Sequence, residues 1–411
     1  MTATLLSSSR FPATRADALQ RLSDFVPHAG AAYASRRNTD YGPDRPSGVS
    51  RLSPYLRYRV ITEEETVSAV LARYSFEAAE KFLQEVLWRT YWKGWLEMRP
   101  DMWQRFQRSH EDIQIKHRDE SLLKAAQQGE TGIEGFDDWA KELIQTGYLH
   151  NHARMWFASI WIFTLKLPWV LGAAFFLKHL LDADAASNTL SWRWVAGLQT
   201  PGKTYLATKD NIARFTEGRF APQGLAQKGE ALVEPPLAAP QPLMRLKSLR
   251  RGEPTLLLLH PDDLHPDFLL PHIDTIKAIC LVHDRSFFWG DKAYNFIAAY
   301  RDDFKTRVEQ KSQLPLISVF ADDIDALIEI AKQKNIKQIV TPFAPLGLVS
   351  AWLHKSEPSL KAAGLSLFQV RRLWDETFWP HATKGFFPFK ERIPSLLKDL
   401  GYSSDQVRLS G

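Results

Sequence analysis

Cysteine is nearly absent from these 411 residues: only Cys280 is present. That excludes an intramolecular disulfide and an iron–sulfur cluster held by several thiolates. Long apolar runs are missing too. The most apolar stretch, residues 155–181, is interrupted by Lys166, Pro168 and Lys178. It falls short of the roughly 20 unbroken apolar residues of a membrane span and reads as buried helices. The opening MTATLLSSSRFPATRADALQ has no extended apolar core followed by a cleavage site. No secretory signal is expected, no membrane is expected as a partner, and a reducing cytoplasm is the expected compartment. A dominant charge is lacking as well, since 52 Lys and Arg face 47 Asp and Glu, a net +5. This excess permits nucleic-acid binding without indicating it. Tandem repeats and low-complexity tracts are also absent.

What the chain has in quantity is aromatic surface, with 14 Trp, 24 Phe and 11 Tyr. Indoles fill cores, and they also stack on the flat rings of cofactors and bases. With 45% hydrophobic and 24% charged residues, the composition is that of a globular protein. The length predicts two or three domains.

Residues 12–215 read as mainly helical, with apolar positions at helical spacing through 67–83, 139–144 and 155–165. APQGLAQKGEALVEPPLAAPQP, residues 221–242, has little apolar periodicity and reads as a linker. Beyond Pro254, short apolar runs at 255–259 (TLLLL), 278–282 (AICLV), 316–320 (LISVF) and 339–340 alternate with helical segments at 296–308 and 324–334. Buried strands alternating with helices predict a doubly wound parallel sheet. The expected organisation is a helical domain over 1–220, a Pro/Ala-rich linker over 221–250 and an α/β domain over 251–411.

Three clusters carry chemistry. In FLQEVLWRTYW, spacings of three and four place Glu85, Trp88 and Arg89 on one helical face. Taken alone, this is a surface Glu–Arg pair beside a core indole. TGYLHNHARMWFAS contributes Tyr148, Asn151, Arg154 and Met155. LLDADAASNTLSWRW contributes Asp182, Asp184, Asn188, Trp192 and Trp194, and either acid alone reads as a helix cap. The triplet His150-Asn151-His152 has no further ligand at convincing spacing, so no metal is expected.

Together with SRLSPYLR at 50–57, these clusters resemble the FAD-binding domain of photolyases and cryptochromes, in order and interval, from about Tyr33 to Trp194. The resemblance implies FAD as cofactor and implies roles residue by residue. Ser50, Leu52, Ser53 and Arg89 match positions that hold the FAD phosphates. Arg154 and Asp182 match a buried pair beside the flavin ring, Asp184 a ring-binding carboxylate, and Asn188 the residue facing flavin N5. Tyr33, Phe82, Tyr148 and Asn151 fall among the family's cofactor-contacting positions. Trp88 and Trp194 match the indoles that wall a flipped-out pyrimidine dimer, Glu85 the carboxylate that hydrogen-bonds it, and Asn151 and Met155 further lining residues. Trp192 and Trp169 match the first two members of a photoreduction relay. Lys116 stands where the third indole would be, and Trp139, Trp156 and Trp161 are alternative exits or ordinary core rings.

The resemblance has departures: Val49 for a threonine, Phe82 and Tyr148 for tryptophans, and His152 for an arginine. After Trp194 the family pattern is lost, and Arg193, Lys203, Lys209 and Arg214 there are candidate phosphate contacts or solvated charges. The family's amino-terminal α/β domain is missing from the front. TLLLLHPDDLHPD, KQKNIKQIVTPFAP and WDETFWPHATKGFFPFKERIPSLLKDLG resemble parts of that domain placed behind, as in a circular permutation. The implied function is light-driven repair of cyclobutane pyrimidine dimers in DNA, with a blue-light receptor or a single-strand-binding flavoprotein as alternatives. No long tail follows the last helical segment, which weighs against the receptor. The antenna chromophore is left open, and a monomer is the default expectation.

Overall fold

The computed structural model describes residues 10–45, 47–117, 120–403 and 405–406. The first nine residues, part of the stretch read for a secretory signal, lie outside this range, as do the outermost ends of the two expected domains. No described helix is long and apolar enough to cross a membrane.

The first part of the chain is helical: α1 (Arg15–Phe25), α2 (Ala31–Arg36), α3 (Ser53–Arg57), α4 (Glu63–Leu71), α5 (Phe76–Glu97), α6 (Pro100–Lys116), α7 (Ser121–Gln128), α8 (Phe136–Thr146), α9 (Asn151–Ser159), α10 (Trp169–His179), α11 (Ala185–Val195) and α12 (Lys209–Phe215). Local chemistry sets the ends. Thr62 and Glu65 form a reciprocal capping box on α4, and the Ser75 side chain accepts the Ala78 N–H to start α5. The apolar periodicity at 67–83 therefore belongs to two helices, parted at residues 72–75. Likewise, the pattern at 155–165 runs from α9 into a π-helical turn, Ile160–Thr164. Such turns admit an extra residue and are frequent near functional sites.

Residues 216–254 contain neither helix nor strand. They are pinned to the helical part by backbone bonds from Leu232 N–H to Ala196 O (3.0 Å) and from Gln241 N–H to Met98 O (2.8 Å).

The sheet follows: β1 (Thr255–Leu259), β2 (Ile276–His283), β3 (Leu316–Phe320), β4 (Gln338–Pro342) and β5 (Ser366–Val370). All pairings are parallel and the order is β3-β2-β1-β4-β5. The central strand β1 is buried at every position, which the unbroken TLLLL run requires. Each buried Leu side chain contributes about 1.5–3 kcal/mol. Helices α13 (Asp291–Ser312), α14 (Ile324–Gln333) and α15 (Leu348–Ala362) supply the crossovers, and α16 (Leu373–Phe378), α17 (Phe386–Lys390) and α18 (Ile393–Asp399) end the chain.

The two parts meet along α5. The Trp374 indole N–H donates to Thr90 Oγ1 at 3.1 Å, and Tyr91 OH donates to Lys384 O at 2.7 Å. Gly94 lets Trp379 approach so closely that a Cβ would sit 2.8 Å from the Trp379 Cα. Beside this seam, buried Arg59 donates to Asp263 (3.1 Å) and to both oxygens of Asp375 (2.7 Å each). Arg372 clamps the same Asp263 with two bonds of 2.7 Å. These cations hold the Asp263 carboxyl below the usual carboxylate range despite its burial. Breaking one partner of such a buried pair costs about 3–5 kcal/mol.

Candidate functional site

The loop 180–184, between α10 and α11, carries two buried acids. Asp184 caps α11, accepting the Ser187 N–H at 2.7 Å. It also lies 3.6 Å from Arg57 Nε, 3.7 Å from Arg89 Nη1 and 3.9 Å from Lys93 Nζ. Capping therefore accounts for one part of its bonding and leaves the charge contacts to explain. Asp182 receives Arg154 Nη2 at 3.1 and 3.2 Å and faces Arg89 Nη2 at 3.9 Å. Burial would raise both carboxyls, but the cations outweigh it and both are lowered: Lys93, Arg89 and Arg57 for Asp184, and Arg154 and Arg89 for Asp182.

Arg51, Arg57, Arg89, Lys93 and Arg154 surround this loop and the Tyr148 ring; the acids facing them are Asp182, Asp184, the Asp262 that Arg57 also meets at 2.9 Å, and, further off, Glu63 and Glu142. Arg51 Nε, Arg89 Nη1, Lys93 Nζ and Ser187 Oγ are buried without a hydrogen-bond partner among the described residues. Unsatisfied buried donors are costly, so a cationic shell of them calls for an anionic, acceptor-rich ligand. Arg51 holds a left-handed backbone, φ +53°, within the SRLS turn.

Asn188 adds a neutral group. Its Nδ2 donates to Ala173 O at 2.9 Å, and its Oδ1 accepts no hydrogen bond from the described residues. Tyr33 and Phe82, by contrast, are engaged with each other edge-on at 5.3 Å and with Phe25. Leu52 is likewise core. Phe82 and Leu52 back the site, the Tyr33 hydroxyl meets Arg37, and Ser53 hydrogen-bonds Asp182. Ser50 Oγ is half-buried and accepts the Leu52 N–H at 3.4 Å.

The remaining expected residues lie on α5, α9 and α11. Glu85 is paired with Arg37, and burial raises its carboxyl against that cation. Trp88 stacks on Phe386 of α17, centroids 3.6 Å apart at 12°. Trp194 stacks on Tyr205 at 5.7 Å. Asn151 is exposed at the start of α9, with Met155 half-buried one turn on. His150 caps α9 through Nδ1, and burial pulls it down to about 4, so it is neutral. No group of three or more metal-ligating side chains occurs among the described residues.

Of the relay candidates, Trp192 is buried and edge-on to Trp161 at 6.2 Å. The Trp169 indole N–H donates to Glu234 at 3.0 Å. Lys116 is exposed, and Trp139 and Trp156 stack on each other at 5.3 Å. Arg193 is corrected: it is 3% exposed and bound to Glu234, so it is not free to meet a phosphate, whereas Lys203, Lys209 and Arg214 are exposed. Sequence reasoning missed Arg57, Lys93, Glu234 and Phe386. Lys93 follows Arg89 by one helical turn and was findable on that spacing. Glu234 had no local signal.

Residues 82–221 match the family model described as the FAD binding domain of DNA photolyase. Over these residues the helical part is similar to the FAD-binding domain of the photolyase family. A deoxyribodipyrimidine photo-lyase of Thermus thermophilus is 32% identical over 240 residues, covering 57% of this chain and 54% of its own. The one from Alkalihalophilus pseudofirmus is 31% identical over 192 residues, covering 46% and 39%. Among solved structures, a class III photolyase from Agrobacterium tumefaciens is 27% identical over 49% of this chain and 44% of its own, with a TM-score of 0.39, too low to carry weight. The chain thus spans between about a third and about half of the curated relatives it matches. FAD is the cofactor of this photolyase-type domain, and the shell of unpartnered cationic donors around Asp182 and Asp184 fits its diphosphate and ring edge.

Proposed function

We propose that this protein is a light-driven FAD flavoprotein that repairs cyclobutane pyrimidine dimers in DNA. The observation that carries the reading is the α5 face. Glu85, half-buried and raised in affinity for a proton, sits one turn from Trp88 and from the Arg89 that faces the acid pair. A flipped-out dimer needs a flat wall and a hydrogen-bonding group in a water-poor pocket. Trp88 and Trp194 supply walls, Glu85 supplies the hydrogen bond, and Asn151 and Met155 border the opening. Bound FAD supplies the light-driven electron donor. Around it, Arg51 and Arg89 hold phosphate, Arg154 and Asp182 fix the local charge, and Asn188 Oδ1 offers an acceptor to an N–H.

The homologues' shared name supports a dimer as substrate. We further propose that residues 251–411 are the family's α/β domain in circularly permuted position, joined through 221–250. Parallel strands in the order β3-β2-β1-β4-β5 support that reading. A blue-light receptor without repair is the second reading. It is favoured by two features: Phe386 covers one face of Trp88, and Arg37 already occupies Glu85.

Dark binding to oligonucleotides separates the two. A repair enzyme prefers a dimer-containing strand to the undamaged one, and Trp88→Ala loses about 1–3 kcal/mol of that preference, the worth of one stacked base. Equal binding of both strands by the FAD-loaded protein contradicts repair and favours the receptor.

A further inference from the structure

The two relay candidates differ in what their indole N–H groups face. Trp192 Nε1 is buried and has no hydrogen-bond partner among the described residues. Trp169, 6% exposed, donates its Nε1–H to Glu234 Oε1 at 3.0 Å. Glu234 comes from the segment 216–254, which has neither helix nor strand, and lies beyond the family-matched residues. Its other oxygen takes Arg193 Nη1, and the Arg193 guanidinium lies 5.7 Å from the Trp169 ring centre. Trp192 packs one turn further along α10, where a Cβ on Gly172 would come within 2.3 Å of its ring.

These environments imply different fates for an oxidised indole. Losing an electron makes the indole N–H a strong acid. Trp192 has no base within reach, so its positive charge can only be refilled by a neighbour. Trp169 has a carboxylate already on its proton. A cation near a neutral ring is attracted to it, but the same cation repels a positively charged ring. Arg193 therefore disfavours a charged Trp169 radical and favours loss of its proton. Burial leaves Glu234 as the hydrogen-bonded acceptor at that atom.

We propose that Glu234 is the proton acceptor that traps the oxidising equivalent on Trp169. The inference rests on the light-driven flavin reading. Bound flavin would supply the light-driven electron acceptor; Trp192 would donate to it, and Trp169, at the start of the helix on which Trp192 packs, would refill Trp192. The Trp169 Nε1–H bond then breaks and the proton passes to Glu234 Oε1. The products are a neutral indolyl radical and a neutral carboxyl, with Arg193 still donating to Oε2. Lys116 cannot be oxidised as an indole is, and the next indole, Trp103, lies behind Phe106, so the proton transfer competes with onward hopping to hold the charges apart.

Flash photolysis of the FAD-loaded protein, read by electron paramagnetic resonance and infrared difference spectra, tests this. The expected result is a long-lived neutral tryptophan radical, a new protonated-carboxyl band and slower formation in deuterated water. Glu234→Gln keeps the volume and an acceptor oxygen but not the base. It should lose the carboxyl band, leave a cationic radical and recombine faster, while Glu234→Asp restores the neutral radical in part. A neutral radical of unchanged lifetime in Glu234→Gln overturns the trap, provided Trp169→Phe removes the radical. A Trp169→Phe protein that photoreduces like the parent instead overturns the relay, with FAD content, read from visible absorption, reporting separately on the flavin reading.

Discussion

Asn188 shows how much of the site's chemistry rests on single atoms. Its amide is oriented by the bond to Ala173 O, which leaves a neutral acceptor at the end of a buried side chain. Asn188→Asp places a negative charge there and loses the donor to Ala173. The flavin potential should fall by at least about 59 mV, a tenfold shift in a one-electron equilibrium. Spectroelectrochemical titration checks this, and an unchanged potential removes Asn188 from the flavin's side. At this scale the sequence was legible where charged residues recur at helical spacing, as with Glu85 and Arg89. It was not legible where the partner is far along the chain. Arg57 reaches Asp262 and Lys93 reaches Asp184, and neither contact has a local signature.

Among the elements, α5 has two jobs on two faces. One presents Glu85, Arg89 and Lys93 to the site, and the other meets the α/β part through Thr90, Tyr91 and Gly94, with Trp88 at the edge stacked on Phe386. Gly94→Ala would ordinarily gain up to about 1 kcal/mol of helix propensity. Here the new Cβ meets the backbone of Trp379 at 2.8 Å, which cannot swing aside as a flexible side chain does. Overpacking of this kind costs about 1–3 kcal/mol, so the variant should unfold at lower temperature or denaturant than the parent. An equal or higher midpoint in urea would show that the seam is looser than its geometry. Periodicity revealed that helices exist here but not where they break. The Ser75 cap that parts α4 from α5 and the π-turn after α9 interrupt runs that look continuous as patterns of apolar residues.

For the whole molecule, the pattern of apolar positions separated a helical region from strands alternating with helices, because fully buried parallel strands need unbroken apolar runs. Strand order could not be read that way, since β1 pairs with β2 and β4 through contacts remote in sequence. The same holds for the seam, where the pairs Arg59–Asp263, Arg59–Asp375 and Asp263–Arg372 join positions 204, 316 and 109 residues apart. Arg57 links that seam to the site by reaching both Asp184 and Asp262, so the α/β part contributes to holding the acid loop in place.

Photorepair by the intact, chemically reduced protein is the most direct test of the whole reading. Single-stranded and duplex oligonucleotides carrying one defined cyclobutane dimer are illuminated with blue light, beside dark samples and a Glu85→Ala protein. The account predicts light-dependent restoration of the two thymines, reduced about 10²-fold or more in the variant, the usual cost of losing one positioned hydrogen-bonding group. Intact dimers after illumination of a protein that holds reducible FAD would contradict it.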